Sequence, residues 1–372
     1  MRNVVVSVAL RTLALWAAGG MCVYPARGQN EWTFITPQGK EAFALRFEDA
    51  GDFKEGLAPV KKNGKWGYID KTGAWKLEPK YDLAHSHSEG MAAVMLNDKW
   101  GFVGIECKEI VPPKYDVVHA FKEGRAVVAV GSRFGYIDKT GNEIIKPNFD
   151  FADDFSEGVA VVQHGGAYGY IDKTGKTVAG FMYERAYAFS EGMGAVRKKG
   201  LWGFVDATGK EVLPCQFQRV DASFHEGAAL VLYEGKYSYI NNKGKDLHVL
   251  LKADGAGPFK EGMAPFELKN KFGFIDREHF HEPVPKYEAV RPFKEGRGAV
   301  QLSGQWGFVD KTGKEVVPPA YDQADDFSEG LAAVQLKGLW GYVASDGKVV
   351  VAPVYAAAGP FSEGLARVGL VK

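Results

Sequence analysis

Short apolar runs, broken every few residues by glycine or proline, set the pattern of this chain. In residues 330–361, "GLAAVQLKGLWGYVASDGKVVVAPVYAAAGPF", the pattern predicts a strand from Leu331 to Leu336 and a turn at Lys337-Gly338. A second strand from Trp340 to Ala344 follows, then a turn at Ser345-Asp346-Gly347 and a strand from Val349 to Ala352. An extended piece leads from Val354 into a Phe-Ser-Glu-Gly corner. After the first thirty residues, no window of 11 or more keeps a helical period, because Gly and Pro interrupt each one. The body is therefore expected to be all-β.

The same pattern returns along the chain. An aromatic stands at Trp32, Trp66, Trp100, Phe134, Tyr168, Trp202, Tyr237, Phe272, Trp306 and Trp340, in steps of 34 residues with two of 35. Gly follows it everywhere except at Thr33 and Ser238. Glu-Gly recurs in register at 55-56, 89-90, 123-124, 157-158, 191-192, 226-227, 261-262, 295-296, 329-330 and 363-364. Phe precedes the Glu by two residues in every copy but one, where His87 stands. A further aromatic, usually two residues after Pro, marks Tyr81, Tyr115, Phe149, Phe217, Tyr287, Tyr321 and Tyr355, and Lys252 breaks it, so residues 237–258 form the most degenerate unit.

Together, the spaced Trp-Gly, the Gly-Tyr/Phe-Ile/Val-Asp-Lys-Thr-Gly segment and Phe-Ser-Glu-Gly resemble the bacterial WG-repeat family, also called KWG repeats, over residues 31 to 372. The resemblance implies a repeat frame and no catalytic residue, since that family is recognised by its repeat and not by a reaction. About ten β-meander repeats that cannot each bury two faces alone must stack. A β-propeller-like ring is expected ahead of an open β-solenoid, because residues 364–372 supply the strand missing before Trp32.

Within the repeat, the aromatic and the one two residues on, as in Trp66 and Tyr68, share a strand face and read as packing. The Gly between them admits a close neighbour. Glu of the Glu-Gly corner is expected to cap backbone N–H groups or pair with a Lys, and Asp70-Lys71-Thr72-Gly73 to make a hairpin turn.

Composition narrows the function. With 46 Lys+Arg against 46 Asp+Glu, no excess charge draws the chain to nucleic acid. Arg2, the apolar run Val4–Leu10, Arg11 and the segment Leu13–Tyr24 predict a signal peptide over residues 1–28. Ala26-Arg27-Gly28 places cleavage near Gly28/Gln29, and residues 29–372 form the repeat domain. Lipidation at Cys22 is disfavoured by Met21, and no transmembrane span is expected in the mature chain. The chain is expected to be secreted or periplasmic. Cys107 and Cys215 form neither a disulfide framework nor a zinc pattern and read as buried small residues.

Enzyme signatures fail on inspection. Lys-Thr-Gly at 71-73, 139-141, 173-175 and 311-313 lacks an upstream Ser-x-x-Lys and any Ser-Asp-Asn. "GYIDKTGKT" from Gly169 to Thr177 has the wrong spacing for a phosphate loop. The acidic runs Asp150–Asp154 and Asp322–Asp326 read as solvated loops and match no EF-hand. The pairs His85/His87 and His279/His281 lack a third ligand at a telling spacing. No cofactor, metal or catalytic residue is assigned. The chain is expected to be an exported non-catalytic scaffold binding an envelope or extracellular protein or a cell-wall glycan, with a glycan hydrolase or lyase, or a structural spacer, as alternatives. Residues that vary just before the aromatic, Arg133, Ala167, Leu201, Lys236 and Gln305, are candidates for its surface.

Overall fold

The fold begins with one hairpin and its two flanks, repeated. In the first complete repeat Leu57–Lys62 pairs antiparallel with Lys65–Asp70, placing Lys61 opposite Trp66. Asn63-Gly64 make the turn between the two strands, with both φ angles positive. A two-residue strand, Asp49–Ala50, lies on one side and Trp75–Tyr81 on the other, giving a four-stranded meander in chain order.

The structure is a computed structural model that describes residues 31–221, 223–250, 253–278 and 284–371. Among these residues there are ten antiparallel sheets, eight of four strands and two of three, and no helix. None of the described elements is a helix long and apolar enough to cross a membrane. The expected signal peptide, its cleavage site and Cys22 lie outside the described residues, as does the His279/His281 pair.

In the repeat over residues 330–361 the last strand is longer than the pattern predicts. It runs Val349–Tyr355, through Pro353, where Val349–Ala352 is expected, and a separate two-residue strand, Ala357–Ala358, opens the next sheet. The reason is a register shift: Trp340 faces Tyr355 and Tyr342 faces Val351, so a step of two residues on one strand matches four on the other. The bulge lets the strand continue past a proline that cannot donate to the ladder.

That bulge also explains the glycine after the aromatic. A Cβ on Gly67 would sit 2.3 Å from the Leu77 carbonyl oxygen, and one on Gly307 2.3 Å from that of Val317. The backbone of the bulged strand passes directly over the glycine, so Trp-Gly and Pro-x-aromatic are two halves of one contact.

The chain divides into two compact units, residues 45–247 and residues 1–44 with 248–372. In the first, the core lies between successive sheets: Met91, Phe102 and Tyr115 of one repeat pack with Phe121, Val128 and Ile137 of the next. In the second, Phe308 and Trp306 pack with Phe327, Val334 and Val343 in the same way. Here too the chain's two ends share one sheet. Trp32–Ile35 pairs with Ala366–Gly369 in the register Trp32↔Gly369 to Ile35↔Ala366, and Leu370 N–H donates to the Glu31 carbonyl at 2.8 Å. First and last repeats of an open solenoid cannot share a sheet, so the propeller-like arrangement is the one adopted.

Candidate functional site

The repeated polar residues are consumed by the frame. Asp70 Oδ1 accepts from the Thr72 N–H at 2.9 Å, the Thr72 hydroxyl at 2.6 Å and the Ala74 N–H at 3.1 Å, which makes Asp-Lys-Thr-Gly a hairpin turn. The Thr72 hydroxyl bond, aided by the two N–H groups, pulls the Asp70 pKa down to about 2.

Within each unit, corner glutamates reach the equivalent corner one repeat on. Glu89 accepts from the N–H groups of Glu123 and Gly124 at 2.6 and 2.8 Å, and Glu123 from those of Glu157 and Gly158 at 2.7 and 2.9 Å. In the other unit Glu261 and Glu295 do the same toward Glu295/Gly296 and Glu329/Gly330. The glutamates also turn the corner themselves, with φ of 53° at Glu89 and 51° at Glu123. Lys139 and Lys173 then pair with Glu89 and Glu123 at 3.2 and 3.0 Å. Both expected roles of the glutamate are therefore filled at once.

The repeated aromatics are packing groups. None of the ten is exposed, and the second aromatic of the motif, at Tyr68, Phe102, Tyr136 and Tyr342, is wholly buried. Cys107 is buried and desolvation pushes its thiol up to about 11, whereas Cys215 is only half-buried. A thiol held this far above neutrality is no nucleophile.

The five residues before the aromatic all lie at the same hairpin end. Arg133, Leu201, Lys236 and Gln305 are exposed and Ala167 is half-buried. Arg133 pairs with Asp150 as Lys99 does with Asp116 and Lys65 with Asp82, and Asp82 and Asp116 also accept from the hairpin-turn N–H groups of Asn97 and Gly131. Arg133 thus belongs to a repeated brace and is less a variable feature than its sequence position implies.

A different position combines a fixed backbone with changing chemistry. It directly follows the two-residue strand that opens each sheet, shortly before the Phe-x-Glu-Gly corner, and reads Gly51, His85, His119, Asp153, Tyr187 and Asp221 in residues 45–247. Its N–H is held by the adjacent strand: His85 donates to the Ala93 carbonyl at 2.9 Å, His119 to Val127 at 3.0 Å and Asp153 to Val161 at 2.9 Å. Where the buried motif aromatic is a tyrosine, its hydroxyl also donates to this carbonyl, Tyr68 to His85 and Tyr136 to Asp153 at 2.7 Å each, whereas Phe102 offers His119 no such bond. With the N–H held by the neighbouring strand, the side chain can vary without disturbing the ladder.

These side chains make a partly exposed strip of mixed chemistry. The His85 ring lies 4.9 Å from Trp100, and Tyr187 stacks on Trp202 at 4.7 Å and 15°. His119 Nδ1 is 2.8 Å from Asp154 Oδ1, and that bond, supported by the charge of both aspartates, raises the imidazole pKa despite desolvation. Burial raises the Asp221 pKa, opposed by Arg219, whose Nε donates to Oδ1 at 2.6 Å.

The unit containing residues 248–372 has its own set: Gly257, Arg291, Asp325 and Gly359. There the Arg291 guanidinium lies 4.7 Å from the Trp306 ring and 3.7 Å from Asp325. A pocket of about 320 Å³ in the same unit is lined by Phe272, Phe274, Val284, Lys286, Tyr287 and Asp310.

The signal that marks this strip was present in the sequence as a non-repeating residue just ahead of a repeated corner. Only the hydrogen bonds show that its backbone is fixed and its side chain is not.

The frame and the strip define an all-β repeat protein of propeller-like architecture with a variable surface on a constant scaffold. Residues 32–66, 66–100, 100–133, 134–166, 168–202, 202–237, 254–272, 272–306, 306–340 and 340–370 each match the family described as WG containing repeat, and the chain belongs to that family. No curated protein matches it.

Solved structures with a similar chain path include a eukaryotic initiation factor (12% identity, 69% of this chain and 82% of that one, TM-score 0.49) and Kluyveromyces lactis Hsv2p (13%, 61% and 92%, 0.34). PorZ of Porphyromonas gingivalis, an essential bacterial surface component of the type-IX secretion system, is a third (13%, 73% and 44%, 0.30). None of these likenesses bears on what this chain binds.

Proposed function

We propose that this chain is an exported, non-catalytic scaffold that binds a protein of the cell envelope or exterior through the variable strip. The observation that carries the reading is the division of labour between positions. Repeated carboxylates and hydroxyls are spent on turns and on the next repeat, while the clamped position after the opening strand carries imidazole, carboxylate, phenol and guanidinium in turn. A glycan, itself a repeat, is best matched by repeated residues. A strip whose members differ suits the irregular surface of a protein, with Tyr187 as a residue type that anchors such contacts. Export rests on the apolar, arginine-flanked leader before residue 29.

The test is capture of partners from an envelope extract by the full chain, beside a glycan array. Tyr187→Ala and His85→Ala should each lower partner retention while leaving the thermal melt in place. Glycan binding lost in the same variants, with no protein retained, would replace the protein by a cell-wall glycan. Turnover of a glycan abolished by Asp221→Asn would instead make the chain an enzyme.

A further inference from the structure

Two repeats carry Asp-Asp at the variable position, Asp153-Asp154 and Asp325-Asp326. Close carboxylates repel each other and call for a positive charge nearby. At Asp325 the preceding repeat provides one permanently, Arg291 at 3.7 Å. At Asp153-Asp154 the same place in the preceding repeat holds His119. Among the described residues no Lys or Arg pairs with Asp153 or Asp154; their partners are His119 and the Asp154 N–H, which donates to Asp153 Oδ1 at 2.8 Å.

One ligand atom from each of His119, Asp153 and Asp154 lies within 4.8 Å of the other two. Donors around a tetrahedral divalent ion at about 2.1 Å stand roughly 3.5 Å apart, so small side-chain rotations close the gap. The backbone supporting the set is already fixed, His119 by Val127, and Asp153 by Val161 and the Tyr136 hydroxyl. The three groups remain partly exposed, which leaves a path for an ion.

From this juxtaposition we propose that His119, Asp153 and Asp154 form a binding site for a divalent cation of the zinc class, shared between two successive repeats. One imidazole nitrogen with two carboxylates suits Zn²⁺ and its neighbours better than Ca²⁺, which prefers an all-oxygen shell. Three protein donors leave one or more coordination positions to water or to a group on a bound partner. An imidazole nitrogen and two carboxylates bind such an ion only when deprotonated, so uptake weakens in acid. The site does not depend on which macromolecule the strip recognises.

The experiment is a Zn²⁺ titration of the chelator-stripped full chain by calorimetry, with Co²⁺ absorption as a second readout. His119→Ala and Asp154→Asn are compared with Asp326→Asn, and circular dichroism melts show that each variant is folded. The expected result is one equivalent in the wild type and in Asp326→Asn that is weakened at least about tenfold in both His119→Ala and Asp154→Asn, with the Co²⁺ d–d bands lost in parallel. Should His119→Ala fail to fold, the conservative Asp154→Asn carries the test. Wild-type titrations superimposable on those of folded Asp154→Asn, or no uptake by the wild type, would overturn the proposal and leave a His119–Asp154 hydrogen bond alone.

Discussion

A glutamate in a left-handed conformation costs about 1 kcal/mol, yet this chain adopts that conformation at every Glu-Gly corner described. The carboxylate offsets the cost by taking two N–H groups of the next corner, 2.6 and 2.8 Å away for Glu89. Glu89→Ala should therefore destabilise by roughly 1–3 kcal/mol in urea melts, the penalty for orphaned N–H groups.

The aromatic positions carry a larger share of the stability. Trp306 is 8% exposed and lies between the core and Arg291, so Trp306→Ala should cost roughly 3–5 kcal/mol in the same measurement. Acid acts on a third residue type. The turn carboxylates Asp70, Asp138, Asp172, Asp206 and Asp310 are all held below the ordinary range, first by the adjacent Thr hydroxyl. A lowered pKa stabilises the fold above the ordinary carboxylate value, near pH 4, and that contribution disappears as pH falls through about 2 at Asp70. Melting temperature should drop between about pH 4 and 2, and less so in Asp70→Asn.

At the scale of the element, the four-stranded meander was legible in large part. Strands Leu331–Leu336 and Leu339–Ala344 lie where alternation and the Lys-Gly turn put them. The last strand was not, because a proline and a glycine each signal a strand end when read singly, while the bulge that reconciles them is a property of the pair. The bulge makes its own prediction. Gly67→Ala would place a methyl 2.3 Å from the Leu77 oxygen, and backbone cannot yield as a flexible side chain can. That one methyl should lower stability by about 1–3 kcal/mol in denaturant melts.

For the molecule as a whole, the pairing of Trp32–Ile35 with Ala366–Gly369 decides between two architectures that one repeat cannot distinguish. Deleting residues 364–372 should speed amide exchange in Trp32–Ile35 as well as in Ala357–Ala358, since both strands lose their partner. Exchange that changes only in Ala357–Ala358 would contradict the pairing.

The period of 34 residues, the all-β class, the packing role of the aromatics and the turn role of Asp-Lys-Thr-Gly were determined by sequence alone, because each is a local rule repeated along the chain. What tertiary structure decided is where a residue of one repeat meets another. The Glu89 to Gly124 bridge, the closing pair of strands and the meeting of His119 with Asp154 join residues 35 positions apart or more. No window along the chain holds both partners of such a contact; they become neighbours only when repeats stack to bury the face that neither can bury alone.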